Sequence, residues 1–244
     1  MRINVYISST GFCSRREADR FIEAGRVAVN GVKAVIGMDV AEGDKITVDG
    51  KPVKHDRPTV YIAFHKPAGI ETTTEAKKKD NIISFIGHKE RIFPIGRLDK
   101  DTTGLILLTN DGQIVNRILR AEHAHEKEYV VTVDVPIDEA FVRDMEAGVV
   151  IYNPVKHEKT TTLPCKVIPF DATTFRIILT QGLNLQIRRM CATLNRHVVS
   201  LTRIRVMNIS LGSLPEGIWR NLSAAETSGL MKMLASTSSA NDKK

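Results

Sequence analysis

The chain has 244 residues, 42% of them hydrophobic, which suits one large domain or a small and a medium domain with packed cores. Lys and Arg number 35 against 28 Asp and Glu, and the net charge of +7 favours a polyanionic partner without proving one. The cysteines Cys13, Cys165 and Cys191 form no CxxC pair, which argues against a disulfide framework or zinc site and fits a reducing compartment. Neither a signal peptide nor an apolar run of the ~18 residues that span a membrane is present, so we expect a cytoplasmic protein without membrane association.

The first stretch, residues 1–57, predicts a small α+β module. Ser14 and Glu17 have the spacing of a helix capping box, and apolar residues at helical spacing follow them. An Asn-Gly pair within residues 27–32 predicts a β-hairpin, and residues 46–50 predict a further strand and turn.

Basic residues lie on or beside the predicted helix of this module, where their guanidinium groups could bind RNA phosphates: Arg15, Arg16, Arg20 and Arg26. Acidic residues share the helix, so a solvated face of mixed charge is the alternative. The order of helix, Gly-Arg-Val-x-Val-Asn-Gly and Gly-Asp-x-Ile-x-Val resembles the S4 RNA-binding domain. That resemblance implies that the four arginines face RNA.

A polar linker that ends in proline separates this module from a second one, residues 58–235. Its patterns predict strands at 60–64, 105–109, 129–133, 167–168, 175–179, 198–206 and 209–211, and helices at 114–119, 138–147, 187–194 and over about ten residues from Ser223. Because strands outnumber helices and come in runs, we predict an α+β fold with a mainly antiparallel sheet. Residues 236–244 are polar and are predicted to be a disordered tail.

The segment from Gly96 to Gly104 reads Gly-Arg-Leu-Asp-Lys-Asp-Thr-Thr-Gly and leads into an apolar strand. Polar loops held by rigid elements are where chemistry tends to occur. Asp99 lies beside Arg97 and Lys100, whose positive charges favour the ionised carboxylate. Asp, Thr and Gly are also common turn residues, so on composition alone a purely structural turn is an equally good interpretation.

This segment resembles the catalytic signature of pseudouridine synthases of the RsuA type, which modify ribosomal RNA. The Lys-Pro-x-Gly turn at 66–69, the Lys-Glu-Tyr at 127–129 and the run at 181–190 match further family motifs in the same order. The resemblance implies an S4-like domain followed by a catalytic domain, whose mainly antiparallel mixed β-sheet is flanked by helices. These enzymes break the N1–C1′ bond of a uridine in RNA, turn the uracil and bond C5 to C1′. They use no metal or cofactor, and the sequence contains no P-loop, GxGxxG or metal-ligand cluster.

The resemblance also implies roles for single residues. Asp99 matches the catalytic aspartate, which acts as nucleophile or base, and whether it attacks the ribose or the base stays open. Tyr129 matches the tyrosine that stacks on the uracil and helps to remove the C5 proton. Arg188 matches the arginine that pairs with the catalytic aspartate, and Asp101 matches a framework position that shapes the loop.

Further residues are expected to bind the substrate. The pocket is expected to include Arg97, Leu98 and Ile187, with core packing an equal interpretation for Ile187. RNA contacts are expected from Lys66, Arg189 and Arg203, the last two because arginines concentrate within residues 188–205.

The implied partner is structured RNA: a stem-loop of large-subunit rRNA is favoured, and a small-subunit site or a tRNA anticodon arm stays open. A monomer is expected. One alternative is a non-catalytic RNA-binding factor for ribosome assembly, weakly favoured by Leu185, since relatives usually carry arginine or another polar residue there. A glycosidase-like hydrolase using Asp99 and Asp101 ranks last, because carboxylates in one loop are poorly placed to face each other across a bond at ~5–9.5 Å.

Overall fold

The computed structural model describes residues 1–54, 57–75, 77–119, 125–154 and 157–241. It has two compact units: the first contains Met1–Val60, His88–Phe93 and Thr109–Asn116, and the second contains Tyr61–Gly87, Pro94–Leu108 and Arg117–Lys244. The chain thus enters the second unit close to the predicted boundary, but two later segments belong to the first unit. One of them is tied there by hydrogen bonds, because Thr109 Oγ1 donates to Val60 O at 2.7 Å and Asn110 Nδ2 donates to Pro58 O at 2.9 Å.

The first unit has helices α1 (Ile3–Ser9) and α2 (Arg15–Glu23) and strands β1 (Val27–Val29), β2 (Val32–Lys33), β3 (Ile46–Val48) and β4 (Lys51–Pro52). The strands form an antiparallel sheet in the order β2-β1-β3-β4. The sequence analysis missed α1, since the residue before it, Arg2, supplies no capping hydrogen bond. Burial of Ile3 and Ile7 in the unit's core stabilises α1 instead.

Local signals in the first unit form as predicted. Ser14 Oγ accepts a hydrogen bond from the Glu17 amide at 3.2 Å, and the Glu17 carboxylate accepts one from the Ser14 amide at 3.4 Å. Asn30 and Gly31 both have positive φ, 52° and 83°, as a two-residue hairpin of type I′ requires. The predicted capping box and hairpin are therefore confirmed.

The second unit is built on a sheet whose strands run in the order β11-β12-β8-β13-β7-β5-β15, with β6 beside β7 and β14 beside β13. Their bounds are β5 (Tyr61–Lys66), β6 (Phe93–Ile95), β7 (Thr103–Thr109), β8 (Lys127–Val133), β11 (Lys166–Pro169), β12 (Thr174–Leu179), β13 (Val198–Val206), β14 (Ile209–Ser210) and β15 (Trp219–Asn221). A separate hairpin joins β9 (Val150–Asn153) to β10 (Glu158–Thr161). The pair β13–β7 is parallel while β11–β12, β12–β8, β13–β8 and β15–β5 are antiparallel, so the predicted mixed, mainly antiparallel sheet is confirmed.

The remaining helices are α3 (Ile82–Ile86), α4 (Gly112–Leu119), α5 (Glu139–Ala147), α6 (Gln186–Thr193) and α7 (Ala224–Asn241). Helices α5 and α6 contribute Phe141, Met145 and Met190 to a core that also contains Val131 and Phe175 of the sheet. This burial, with the Asp138 side chain capping α5, explains why both helices follow the predicted periodicity.

Helix α7 is longer than predicted. It continues to Asn241, so residues 236–241 are helical rather than a disordered tail, and residues 242–244 lie outside the described residues. Buried Leu230 and Leu234 anchor one face of the helix. The polar composition of the tail misled the prediction, because Ser and Ala extend a helix that such burial has already nucleated.

Candidate active site

A cavity of about 540 Å³ lies against the sheet of the second unit. It is lined by the loop after β6, by β8 and β13, and by the segment that leads into α6. The sequence-predicted residues that it brings together are Arg97, Leu98, Asp99, Tyr129, Ile187, Arg188 and Arg203. Three distant stretches of the chain therefore meet around one space.

The loop that carries Asp99 is fixed by main-chain hydrogen bonds on both sides of the carboxylate. Leu98 N donates to Thr72 Oγ1 at 3.2 Å, and Thr72 Oγ1 donates to Leu98 O at 2.7 Å. Lys100 O accepts from Gly69 N at 2.9 Å, and Asp99 O accepts from Thr102 N at 3.1 Å. The half-buried Asp99 is thus held at the cavity wall by a loop with little freedom to move.

A glycine lets the strand after this loop approach its neighbour. Gly104 of β7 has a φ of +106°, and a Cβ there would overlap the main-chain O and N of Arg203 on β13. The adjoining pair is also bonded through side chains, since Thr103 Oγ1 and Thr202 Oγ1 lie 2.7 Å apart. Gly104 therefore serves the parallel β7–β13 pairing that brings the loop of Asp99 beside β13.

The side chain of Lys66 is hydrogen-bonded to the same loop. Its side chain has no exposed surface, and Nζ donates to Pro67 O at 2.8 Å, Ile70 O at 2.9 Å and Lys100 O at 3.1 Å. Burial lowers the pKa of Lys66 to about 8, against the opposing effect of the Asp101 and Asp99 carboxylates. The donors of Lys66 are directed at main-chain carbonyls inside the protein, and its contact with RNA stays a prediction.

Arg188 does not make the expected ion pair. Its Nη1 donates to Val198 O at 3.3 Å and its Nη2 to Asp101 O at 3.3 Å. Within the described ranges, no ion pair of 4.0 Å or less joins Arg188 to Asp99. The guanidinium instead ties α6 to the main chain of the Asp99 loop, two residues after Asp99, because Nη1 and Nη2 donate to carbonyl oxygens of β13 and of that loop.

Tyr129 and Ile187 each contact both the cavity and the core. Tyr129 is half-buried on β8 and packs against the cluster under α5 and α6, and Ile187 is 5% exposed in the same cluster. Both also line the cavity. Ile187 therefore packs in the core and also lines the cavity.

The structure places Arg203 and Lys127 in the cavity wall, where the sequence-based predictions did not put them. Arg203 is 4% exposed, and its Nε donates to Leu105 O at 2.6 Å, so it does not lie on an exposed face, and its contact with RNA stays a prediction. Lys127 lines the same cavity and was not singled out as a site residue. Its spacing was the available signal, because residues two apart on a strand point to the same face and Tyr129 follows two positions later.

Some of the other basic side chains bond to groups within the protein, and others are exposed to solvent. Arg189 donates to Tyr152 O at 2.6 Å and to Asn184 Oδ1 at 3.1 Å. In the first unit, Arg26 pairs with Asp49 and stacks over the Phe21 ring at 4.3 Å. The side chains that are exposed on or around α2 are Arg15, Arg16, Arg20 and Arg26.

Leu185, noted above as a departure from the motif's usual polar residue, places an apolar side chain on the cavity wall. It is the residue before α6 and has a φ of +51°, a left-handed conformation that costs a non-glycine residue on the order of 1 kcal/mol. In the part of the chain that the structure describes, no group of three or more His, Cys, Asp or Glu side chains could hold a metal ion. No helix of the described residues is long and apolar enough to cross a membrane.

Comparison with known proteins identifies the class to which this fold and cavity belong. The RNA pseudouridylate synthase family model matches residues 60–193, and the S4 domain model matches residues 1–46. The chain belongs to the RNA pseudouridylate synthase family, and it is an RNA pseudouridine synthase with an S4 domain at its N-terminus.

Individual relatives agree with this assignment. The "Dual-specificity RNA pseudouridine synthase RluF" of Salmonella typhi is 51% identical over 240 residues, covering 98% of this chain and 81% of that protein. The "Ribosomal large subunit pseudouridine synthase B" of Bacillus subtilis is 32% identical over 236 residues, covering 94% and 95%. A "Crystal structure of pseudouridylate synthase" superposes with a TM-score of 0.68 at 29% identity and covers 94% of this chain and 99% of that one. The resemblance inferred from the motifs is confirmed.

Proposed function

We propose that this protein isomerises one specific uridine in a stem-loop of large-subunit rRNA, as a monomer, with Asp99 as the catalytic nucleophile or base. The observation that carries the proposal is the cavity in which Asp99, Tyr129 and Arg188 meet from three separate stretches of the chain. The printed names of two relatives, one a ribosomal large subunit enzyme and one a dual-specificity RNA enzyme, support large-subunit rRNA as the first substrate and leave room for a second RNA.

The cavity suits a single nucleotide taken out of its stack. Its volume, about 540 Å³, lies within the range of ~300–1,000 Å³ usual for small-molecule sites. A carboxylate on its wall cannot reach a base inside a helix, so the target uridine must flip out of the RNA, at a cost that is lower in a loop or bulge. Tyr129 offers an aromatic face to the flipped base, and Leu98 and Ile187 exclude water around it.

The reaction depends more on holding the detached uracil in the cavity than on protonation by a strong acid. The N1–C1′ bond breaks and its electron pair stays on the uracil, which turns before C5 bonds to C1′. C5 then loses its proton while N1 gains one, so no proton is gained or lost overall. Asp99 acts on the nucleotide, Tyr129 stacks on the uracil and helps to take the C5 proton, and Arg188 holds the loop of Asp99 in place.

The substrate is tested by mapping pseudouridine in unmodified large-subunit rRNA, small-subunit rRNA and tRNA after incubation with the protein, using carbodiimide adducts and primer extension. We expect one new stop in a large-subunit stem-loop with wild type and none with Asp99→Asn. Asp101→Asn is the matched control, because its exposed carboxylate lies in the same loop. A stop only in tRNA would overturn the rRNA assignment, and tight binding with no stop in any RNA would favour the non-catalytic RNA-binding factor.

A further inference from the structure

Two cationic side chains lie next to Tyr129 on the cavity face of the sheet. Arg203 of β13 pairs in register with Tyr129 of β8, and Lys127 precedes Tyr129 by two residues on the same strand. Directly opposed residues and residues two apart share one face of a sheet. Both cations line the cavity of Asp99.

Among the described residues, neither cation is paired with a carboxylate. Lys127 Nζ donates to His125 O at 3.2 Å and Arg203 Nε to Leu105 O at 2.6 Å, and among the described residues neither forms an ion pair within 4.0 Å. The next arginine of β13 differs, since Arg205 donates to Glu126 at 2.9 Å and to Glu128 at 2.8 Å. Among the described residues, the cations at the cavity thus lack a carboxylate partner, whereas Arg205, farther along β13, is paired.

Burying unpaired charge is costly, so a protein that keeps it there has a use for it. Burial, and then the charge of Arg203, lower the pKa of Lys127 to about 8. The ionisable side chains that line the cavity are Arg97, Asp99, Lys127, Tyr129, Arg188 and Arg203. With four cations and one carboxylate among them, the cavity suits an electronegative group of the substrate.

We propose that Lys127 and Arg203 bind the carbonyl oxygens O2 and O4 of the target uracil and stabilise the negative charge that the ring carries after the N1–C1′ bond breaks. The electron pair of that bond delocalises over N1, O2 and O4, and fixed cations in a site that excludes water stabilise such charge strongly. The charge disappears when C5 bonds to C1′, C5 loses its proton and N1 gains one. This inference rests on the proposed function.

The base is favoured over a phosphate as the ligand of these cations. Arg203 is 4% exposed and stands opposite Tyr129, the residue proposed to stack on the uracil. A flipped base enters the cavity, whereas the RNA backbone stays at its mouth. Removal of the cations should therefore slow the chemical step and leave RNA affinity almost unchanged.

The test is single-turnover release of tritium from C5-labelled uridine in rRNA, with the dissociation constant of the RNA measured in parallel. Lys127→Met and Arg203→Met should each slow release by roughly 100-fold or more and change the dissociation constant by less than about threefold. Lys166→Met is the control, because Lys166 is exposed on β11 and is absent from the cavity lining. The Lys166→Met variant should release tritium at the wild-type rate.

The pH dependence separates this role from a purely structural one. The wild-type rate should fall as the pH rises through about 8, because a neutral Lys127 no longer stabilises negative charge. Lys127→Arg stays protonated, so its rate should fall less than that of wild type in that range, where Lys66 also loses its proton. Lys127→Met should unfold at no lower temperature than wild type, because it removes a half-buried charge that Arg203 repels.

The other possible results of these experiments contradict either this inference or the proposed function. Variants that release tritium within threefold of the wild-type rate, with an unchanged pH profile, overturn the inference alone. A loss of RNA affinity as large as the loss of rate assigns the cations to a phosphate and overturns it too. A wild type that releases no tritium from rRNA or tRNA contradicts the proposed function, and the inference with it.

Discussion

The basic residues of the first unit and those of the cavity in the second unit differ in exposure and in partners. Arg15, Arg16 and Arg20 are exposed around a short helix. Arg203 is buried and Lys127 is half-buried in the wall of the cavity, and neither has a carboxylate partner within 4.0 Å among the described residues. Exposed charges are screened by salt and each contributes little, whereas buried charges act with large energies on a nearby group. We therefore expect RNA affinity to depend on the first set and catalysis on the second.

The largest effect should come from breaking the framework that forms the cavity. Gly104→Ala introduces a Cβ that overlaps the Arg203 main chain at a φ of +106°. We expect a loss on the order of 3 kcal/mol in the free energy of unfolding, together with most of the activity. Urea denaturation measures the first quantity. Gly182→Ala, with nothing within 4 Å of its Cβ, is the control and should unfold as wild type does. Equal stability of the two variants would contradict the close approach of β7 and β13.

A second prediction concerns the hydrogen bonds by which Lys66 supports the loop of Asp99. Lys66→Met removes three hydrogen bonds to main-chain carbonyls, including the one to Lys100, the residue after Asp99. We expect kcat to fall roughly 10- to 100-fold with KM little changed, because a misplaced group costs rate rather than binding. A rise in KM with normal kcat would contradict this role and support the prediction that Lys66 contacts RNA.

Lys66 also makes a testable contribution to the pH dependence of stability. Its pKa falls from 10.5 to about 8 on folding, so the native state binds fewer protons than the unfolded state between those values. The contribution of Lys66 to the free energy of unfolding must therefore rise as the pH increases from 8 to 10.5. Urea denaturation of Lys66→Met across this range should show a smaller rise than wild type, and an identical rise would show that the lysine is not buried.

A smaller effect is expected from the exposed arginines. The combined replacement of Arg15, Arg16 and Arg20 by Gln should raise the dissociation constant of the RNA roughly tenfold and lower the slope of log K against log salt by up to about 3. Single-turnover tritium release at saturating protein should not change. A reduced chemical rate at saturation would contradict the division between the two sets of cations.

The smallest effect should come from the helix cap of the first unit. Ser14→Ala removes the acceptor for the Glu17 amide and should cost about 1 kcal/mol in the free energy of unfolding, without changing single-turnover tritium release at saturating protein. Thermal unfolding of the variant measures the loss. No loss at all would mean that the capping box seen in the structure does not stabilise α2.

The sequence predicted those features whose causes are local. The capping box of Ser14 and Glu17 and the turn at Asn30 and Gly31 depend on neighbouring residues, and both form as predicted. Helix α1 was missed because burial of Ile3, rather than a cap, stabilises it.

Within the site, motif matches found the residues that share the cavity, but not the partners of each side chain. Arg188 bonds Asp101 O instead of pairing with Asp99, and Lys66 is buried rather than on the surface. These partners depend on contacts between residues far apart in the chain, which the spacing of a motif does not specify. The unpaired charge of Lys127 and Arg203 likewise depends on the pairing of β8 with β13.

The most direct test of the central claim is tritium release from C5-labelled uridine in unmodified rRNA, with wild type beside Asp99→Ala. C5 gives up its hydrogen only when a new bond forms there, so release reports isomerisation itself. The account predicts release by wild type and none by the variant, with RNA binding retained by both. Release by Asp99→Ala at the wild-type rate would contradict the assignment of Asp99 as the catalytic residue.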